Sequence, residues 1–212
     1  MKNVSYIAER CTGCTACLNS CHKNAIQMKS DAIGFLYPLI DTSLCINCGK
    51  CVSVCPASEE AEGKQTRINA YYGAIADSEI VKKSSSGGAF TLMASNILSQ
   101  KGLVIGAAID YKSLDVVYSS TDSCTLDDLR RSKYVSSYPK DIFSEIEKAL
   151  KVNRAVLFCG LPCHVDGLKH FLKKDYDNLI TCDFICGGTA SPRFFKEHIK
   201  NLEKKYKAKN TI

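Results

Sequence analysis

Two cysteine runs constrain this chain more than any other feature. The first is Cys11-Thr-Gly-Cys14-Thr-Ala-Cys17-Leu-Asn-Ser-Cys21, and the second is Cys45-Ile-Asn-Cys48-Gly-Lys-Cys51-Val-Ser-Val-Cys55-Pro56. Each reads C-x2-C-x2-C-x3-C, a spacing that suits a cube of four irons and four sulfides. Three thiolates two residues apart lie on a tight turn and reach three corners of one cube. The fourth, three residues on, is expected to begin a helix and point away, and so to serve the other cube. The spacing therefore assigns Cys11, Cys14, Cys17 and Cys55 to one 4Fe–4S cluster, and Cys45, Cys48, Cys51 and Cys21 to a second. Pro56 fixes the exit of the chain from its cluster, while His22 stands at the matching place in the first run and reads as a surface or outer residue.

Other uses of eight cysteines fit less well. C-x2-C-x2-C crowds three thiols too closely for an ordinary disulfide framework, and no signal-peptide pattern points to an oxidising compartment. Zinc takes four ligands per ion, commonly from separate C-x2-C pairs, and would leave the third cysteine of each triplet without a function. Thirteen cysteines among 212 residues, used in this way, predict a reducing, cytoplasmic setting.

The charge is unevenly placed. Residues 1–63 carry five Lys+Arg against six Asp+Glu, and residues 64–212 carry 23 against 16. The basic second part suits an anionic ligand or a negatively charged redox partner. No cluster of basic and aromatic residues follows a nucleic-acid motif, so no nucleic acid is expected. The most apolar stretch, Leu103 to Ile109, is the size of a strand and predicts no membrane span.

Along the chain, residues 1–63 repeat a strand, a cysteine loop and a helix start. Val4–Ile7 and Ala25–Met28 are expected to pair as strands. A module this small buries little apolar surface, so its clusters must supply much of its stability. Ser58 to Gly63 reads as a linker. Strands and helices then alternate: strands at Ala70–Ala76, Leu103–Ile109, Asp115–Tyr118, Ala155–Phe158 and Asn178–Thr181, and helices at Ala89–Ser99, Leu126–Arg131, Ile142–Leu150 and His164–Lys173, with another opening at Pro192. The expected fold is an α+β, ferredoxin-like two-cluster module (1–63) followed by an α/β domain (64–212).

Three further features point to chemistry. Ser84-Ser-Ser-Gly-Gly88 precedes a helix, and a serine there is expected to cap it. Its glycines and the helix N-terminus suit a pyrophosphate such as that of a flavin nucleotide. Cys159-x3-Cys163 and Cys182-x3-Cys186 each follow a strand and are expected to open on one edge of a parallel sheet. There they could hold a third cluster, or Cys159 and Cys182 could be small buried apolar residues. Cys124 has no evident role. Arg130-Arg131-Ser-Lys133-Tyr134-Val135 is a cationic turn that could neutralise phosphate or a reduced flavin.

Together these stretches resemble the coenzyme F420 hydrogenase/dehydrogenase beta-subunit family, in the version that carries an N-terminal two-cluster ferredoxin module. The pieces that carry the resemblance are Ser85-Ser-Gly-Gly-Ala-Phe90, Arg131-Ser-Lys-Tyr-Val135, Leu157-Phe-Cys-Gly-Leu-Pro-Cys163 and Asp183-Phe-Ile-Cys186-Gly. The resemblance implies an FAD-dependent oxidoreductase that moves electrons between clusters and a second carrier, either a redox protein or a small organic substrate. It places Ser86, Gly87 and Gly88 at the flavin phosphates and Lys133 near the flavin. The alternative is a ferredoxin-like relay subunit that docks on a partner enzyme, and an oligomer is left open. Family members have Cys-His-Gly where this chain has Cys186-Gly187-Gly188, and they continue past Ile212, so the chain is expected to be truncated at its C-terminus.

Overall fold

The computed structural model describes residues 3–58 and 71–207. The proposed linker, apart from Ser58, and the 63/64 boundary lie outside the described residues.

The N-terminal part opens with two single-turn 3-10 helices, Val4–Tyr6 and Ala8–Arg10. They stand where a strand is expected, because Val4 and Ile7 turn the same way into a small core with Cys17, Ile26 and Val52. The short helix α1 (Ala16–Ser20) follows. The hairpin is instead β1 (Ile26–Ser30) with β2 (Leu36–Ile40), paired antiparallel from Ile26↔Ile40 to Ser30↔Leu36. Helix α2 (Lys50–Ser53) carries the second cysteine run.

The second part begins with α3 (Ser78–Lys82) and α4 (Ala89–Ser99). Tyr71–Ala76 forms no strand; within it Ile75 donates its backbone N–H to Gly87 at 2.8 Å. Strands β3 (Leu103–Asp110) and β4 (Asp115–Ser120), helix α5 (Leu126–Leu129), the short β5 (Ser137–Tyr138), α6 (Ile142–Lys151), β6 (Val156–Cys159), α7 (Pro162–Leu172), β7 (Leu179–Cys182) and α8 (Pro192–Tyr206) complete it. The sheet order is β5-β4-β3-β6-β7, antiparallel only between β3 and β4. The chain is thus a mixed α and β protein with a mixed sheet. Among the described residues no helix is long and apolar enough to cross a membrane.

Burial follows from the sequence. Leu103, Val104 and Ile105 in β3, with Val156, Leu157 and Phe158 in β6, are apolar without alternation because both sheet faces are covered. Helices α4 and α5 cover one face, over Val104, Ala108 and Leu157. Helix α6 turns Ile142, Phe143, Ile146 and Leu150 to the other face and leaves its lysines outside. Pro162 opens α7, and Ser191 caps α8 by accepting from the Phe194 N–H at 3.0 Å, with Pro192 at the first helical position.

The two parts share one core. Cys14, Ala16 and Val54 pack in the same cluster as Phe143, Phe158 and Leu168. Polar contacts reinforce the join. Asn19 Nδ2 donates to the Lys140 carbonyl at 2.8 Å, and Lys173 Nζ to Ser53 Oγ at 3.1 Å. At the hairpin turn Gly34 (φ +103°) lets Arg193 approach so closely that a Cβ would lie 2.7 Å from the arginine's own.

Candidate metal centres

The two cysteine loops have the same backbone. Left-handed residues fall two and four positions after the first cysteine in each: Gly13 and Thr15 after Cys11, Asn47 and Gly49 after Cys45. Each reversal turns the next thiol back toward a common centre, and Gly or Asn occupies three of the four positions because those residues tolerate this conformation best. A short helix then starts before the third cysteine. Cys21 closes α1 as its C-terminal cap, and Cys55 lies just beyond α2. The fourth cysteine therefore ends a helix rather than beginning one, since the turn of helix is what carries the chain across to the other loop.

That crossing sorts the thiols. Cys11, Cys14, Cys17 and Cys55 line one small cavity, the inner nest. Cys21, Cys45, Cys48 and Cys51 line another, the outer nest. Among the described residues no three metal-ligating side chains converge on a single ion; ligands at the corners of a cube stand apart, around a volume rather than a point. An all-thiol donor set fits such a cube. Electrostatics fit as well. Burial first, and then mutual repulsion, push the inner thiols up, Cys14 to about 12 and Cys17 well above its usual range. Four thiolates gathered there need cations among them, which iron supplies.

The nests differ in cover. Cys14 and Cys17 are each 8 % exposed, and helix α7 lies over the inner nest. A Cβ on Gly167 would come within 2.9 Å of Cys14 Sγ. Burial pushes the Cys163 thiol up, and a hydrogen bond from the Thr12 side chain offsets only part of this. The outer nest has Cys48 exposed and Leu44 and Ile46 in solvent beside it. His22 is exposed at the rim of this nest.

Cys159, Cys163, Cys182 and Cys186 resolve into two pairs. Cys159 and Cys182 are register partners at the ends of adjacent parallel strands, and both pack on the α4 face. Their side chains hydrogen-bond; the more buried Cys159 keeps its proton, and Cys182 is held down to about 7. Cys163, at the start of α7, lines a cavity together with Cys186 on the module side. Between the pairs Tyr118 accepts from the Leu161 N–H at 3.1 Å and meets the buried His164 at 3.0 Å, holding the Gly160–Cys163 turn. Burial holds His164 down to about 4, so it is neutral.

The Ser84–Gly88 loop and the cationic turn meet: the Ser132 N–H donates to Ser85 Oγ at 2.8 Å. Lys133 Nζ donates to the carbonyls of Asp128 (2.8 Å) and Arg130, and burial lowers its pKa to about 8. Gly88, not a serine, caps α4, with φ +83°. Gly87 and Gly88 are covered by the preceding segment, since a Cβ on either would meet Ala74 at 3.1 Å or Ile75 at 2.6 Å.

Comparison with known families gives three matches. Residues 10–58 match a 4Fe-4S dicluster domain, and residues 37–86 match a second 4Fe-4S dicluster domain description that overlaps the first. Residues 153–211, from β6 through α8 and including Cys159, Cys163, Cys182 and Cys186, match the C-terminal region of the coenzyme F420 hydrogenase/dehydrogenase beta subunit. These matches bear out the resemblance to the coenzyme F420 hydrogenase/dehydrogenase beta-subunit family. No curated protein matches it. Together the matched domains support an electron-transfer role of the oxidoreductase class that uses iron–sulfur clusters.

Sequence reasoning missed one feature of this chain. A cavity of about 890 Å³ opens between the hairpin, the sheet and α8, with Cys11, Tyr37, Tyr138, Lys140, Cys163 and Arg193 among its walls. Its residues come from six separate stretches, so no local motif marks it. Ser86, Gly87, Gly88 and Lys133 are not among the residues that line it.

Proposed function

We propose that this beta-subunit relative is an iron–sulfur flavoprotein that passes electrons between two 4Fe–4S clusters, FAD and a second carrier or organic substrate. Cys11, Cys14, Cys17 and Cys55 would hold one cluster and Cys21, Cys45, Cys48 and Cys51 the other, in a module spanning residues 1–63 ahead of an α/β domain. The clusters supply one-electron steps, and the flavin joins these to a two-electron exchange. Ser86, Gly87 and Gly88 would meet the flavin phosphates and Lys133 its anionic form. The cavity beside Cys11 and Cys163 offers room for a small redox substrate. The observation that carries the reading is the sorting of eight thiols into two crossed nests of four.

Iron, sulfide and flavin quantitation on anaerobically prepared protein tests it. About eight irons per chain are expected, with FAD released on heat denaturation; about four irons would remove one nest. Because Lys133 is charged at pH 7 and loses its proton as pH rises through about 8, flavin retention is expected to fall between about pH 7 and 9, and Lys133→Met to abolish that dependence.

A relay protein without flavin is the second reading. It is favoured by the cover that Gly73–Ile75 lays over Gly87 and Gly88, which leaves less open backbone for a phosphate. Eight irons with no released FAD would select it. For Cys159, Cys163, Cys182 and Cys186, two thiol pairs fit the geometry better than a third cluster; iron near about twelve per chain would restore the quartet.

A further inference from the structure

We propose that the rim of the outer nest is the docking surface for a small acidic electron-carrier protein, so that the outer nest exchanges electrons with the partner and the inner nest with the rest of this chain. The proposal rests on the two-cluster reading. Its geometry is independent of where a flavin binds.

Three observations point to this rim. The first is access: Cys48 is exposed on the outer nest, whereas α7 closes over the inner one at Gly167. A protein partner's redox centre can therefore approach Cys48 directly, whereas the inner nest buries Cys14 and Cys17 and keeps Cys11 and Cys55 half-buried. The second is charge. Lys23 and Lys50 line the outer cavity, and among the described residues no carboxylate does. This patch is basic although residues 1–63 as a whole carry one more acid than base. Local sign rather than net charge steers an encounter at contact range. The third is an apolar centre. Leu44 and Ile46 are 49 % and 57 % exposed on either side of Cys45. A small apolar patch rimmed by lysines matches a transient redox interface, which is small and polar at its edge. A carrier whose own exposed centre sits among Asp and Glu is complementary to it. Each encounter moves one electron: the reduced carrier is oxidised by one, this chain is reduced by one, and no bond or proton changes place.

The full chain, reconstituted anaerobically, is tested with an acidic plant-type 2Fe–2S ferredoxin. Carbodiimide coupling, which joins lysine to carboxylate only at contact, is read by mass spectrometry. Oxidation of the reduced ferredoxin is followed by stopped flow. Coupling is expected at Lys23 and Lys50. Lys23→Glu/Lys50→Glu should slow the second-order rate about tenfold at low ionic strength, with the gap closing as salt is raised. The rate with reduced methyl viologen, a small cation that needs no docking face, should not fall. Lys204→Glu/Lys205→Glu at the end of α8 makes the same change in net charge and should leave the ferredoxin rate near wild type. Coupling elsewhere, an equal loss from the α8 pair, or no loss from the rim pair would overturn the docking surface. Iron content separates the two failures: about eight irons with an unaltered rate sinks the docking surface alone, and about four sinks the two-cluster reading beneath it.

Discussion

The inner and outer nests have the same spacing and the same backbone reversals, yet one is a core and the other a surface. Cys14 belongs to the cluster of side chains that includes Phe143, Phe158 and Leu168, while Cys48 faces solvent. The difference does not lie in the loops. It lies in what the rest of the chain brings to them: α7, with a glycine at the point of contact, against one, while among the described residues the other keeps Cys48 exposed. Identical ligand loops can thus be given different surroundings, and with them different cluster potentials, because burial and hydrogen bonds to sulfur tune these centres.

Breaking that contrast should have its largest effect at Gly167. Gly167→Leu forces a side chain against Cys14 Sγ and Phe143. Overpacking of about 1–3 kcal/mol is expected, with loss of about half the iron, read by thermal melting and iron assay. Lys50→Leu at the outer rim should leave both nearly unchanged. If Gly167→Leu keeps its full iron, the inner nest is not closed by α7.

Cysteine removal sharpens the comparison next. Cys14→Ala and Cys48→Ala should each cost one cluster, but Cys14→Ala should lower the melting temperature more, because its cavity opens in the shared core. A difference of about 2–4 °C per kcal/mol applies to a chain of this size. Equal melting temperatures would mean that the nests contribute alike.

The smallest effect is expected at the seam. Asn19 donates to the Lys140 carbonyl and accepts from Ser144 Oγ. Asn19→Ala should cost about 0.5–1.5 kcal/mol with iron unchanged. A loss of iron there would show that the seam sets the inner nest's geometry.

Much of this was legible in the sequence, for physical reasons that can be named. The cysteine spacing carries its own geometry, so the crossed sorting of Cys21 and Cys55 could be expected from it. Unbroken apolar runs such as Leu103–Ile105 mark doubly covered strands, and Pro192 after Ser191 marks a helix start. Val4–Ile7 misled because a short apolar segment packs equally well as a strand or a single helical turn, and only its neighbours decide. Tyr71–Ala76 is apolar enough for a strand but finds no sheet edge. The glycines of the Ser84–Gly88 loop carry two meanings, approach of a phosphate or approach of the chain itself; the cover by Ala74 and Ile75 comes from tertiary packing and leaves no local trace. The cavity at Arg193 was hidden for the same reason, being assembled from stretches far apart in the chain.

One consequence of the common core bears on how this protein can be handled. Val54 and Ala16 are at most 1 % exposed, and part of what shields them is α6 and α7. Cutting the chain near residue 63 would bare apolar surface on both fragments, so each alone is expected to be less soluble than the whole, and co-expression of the two halves should rescue them.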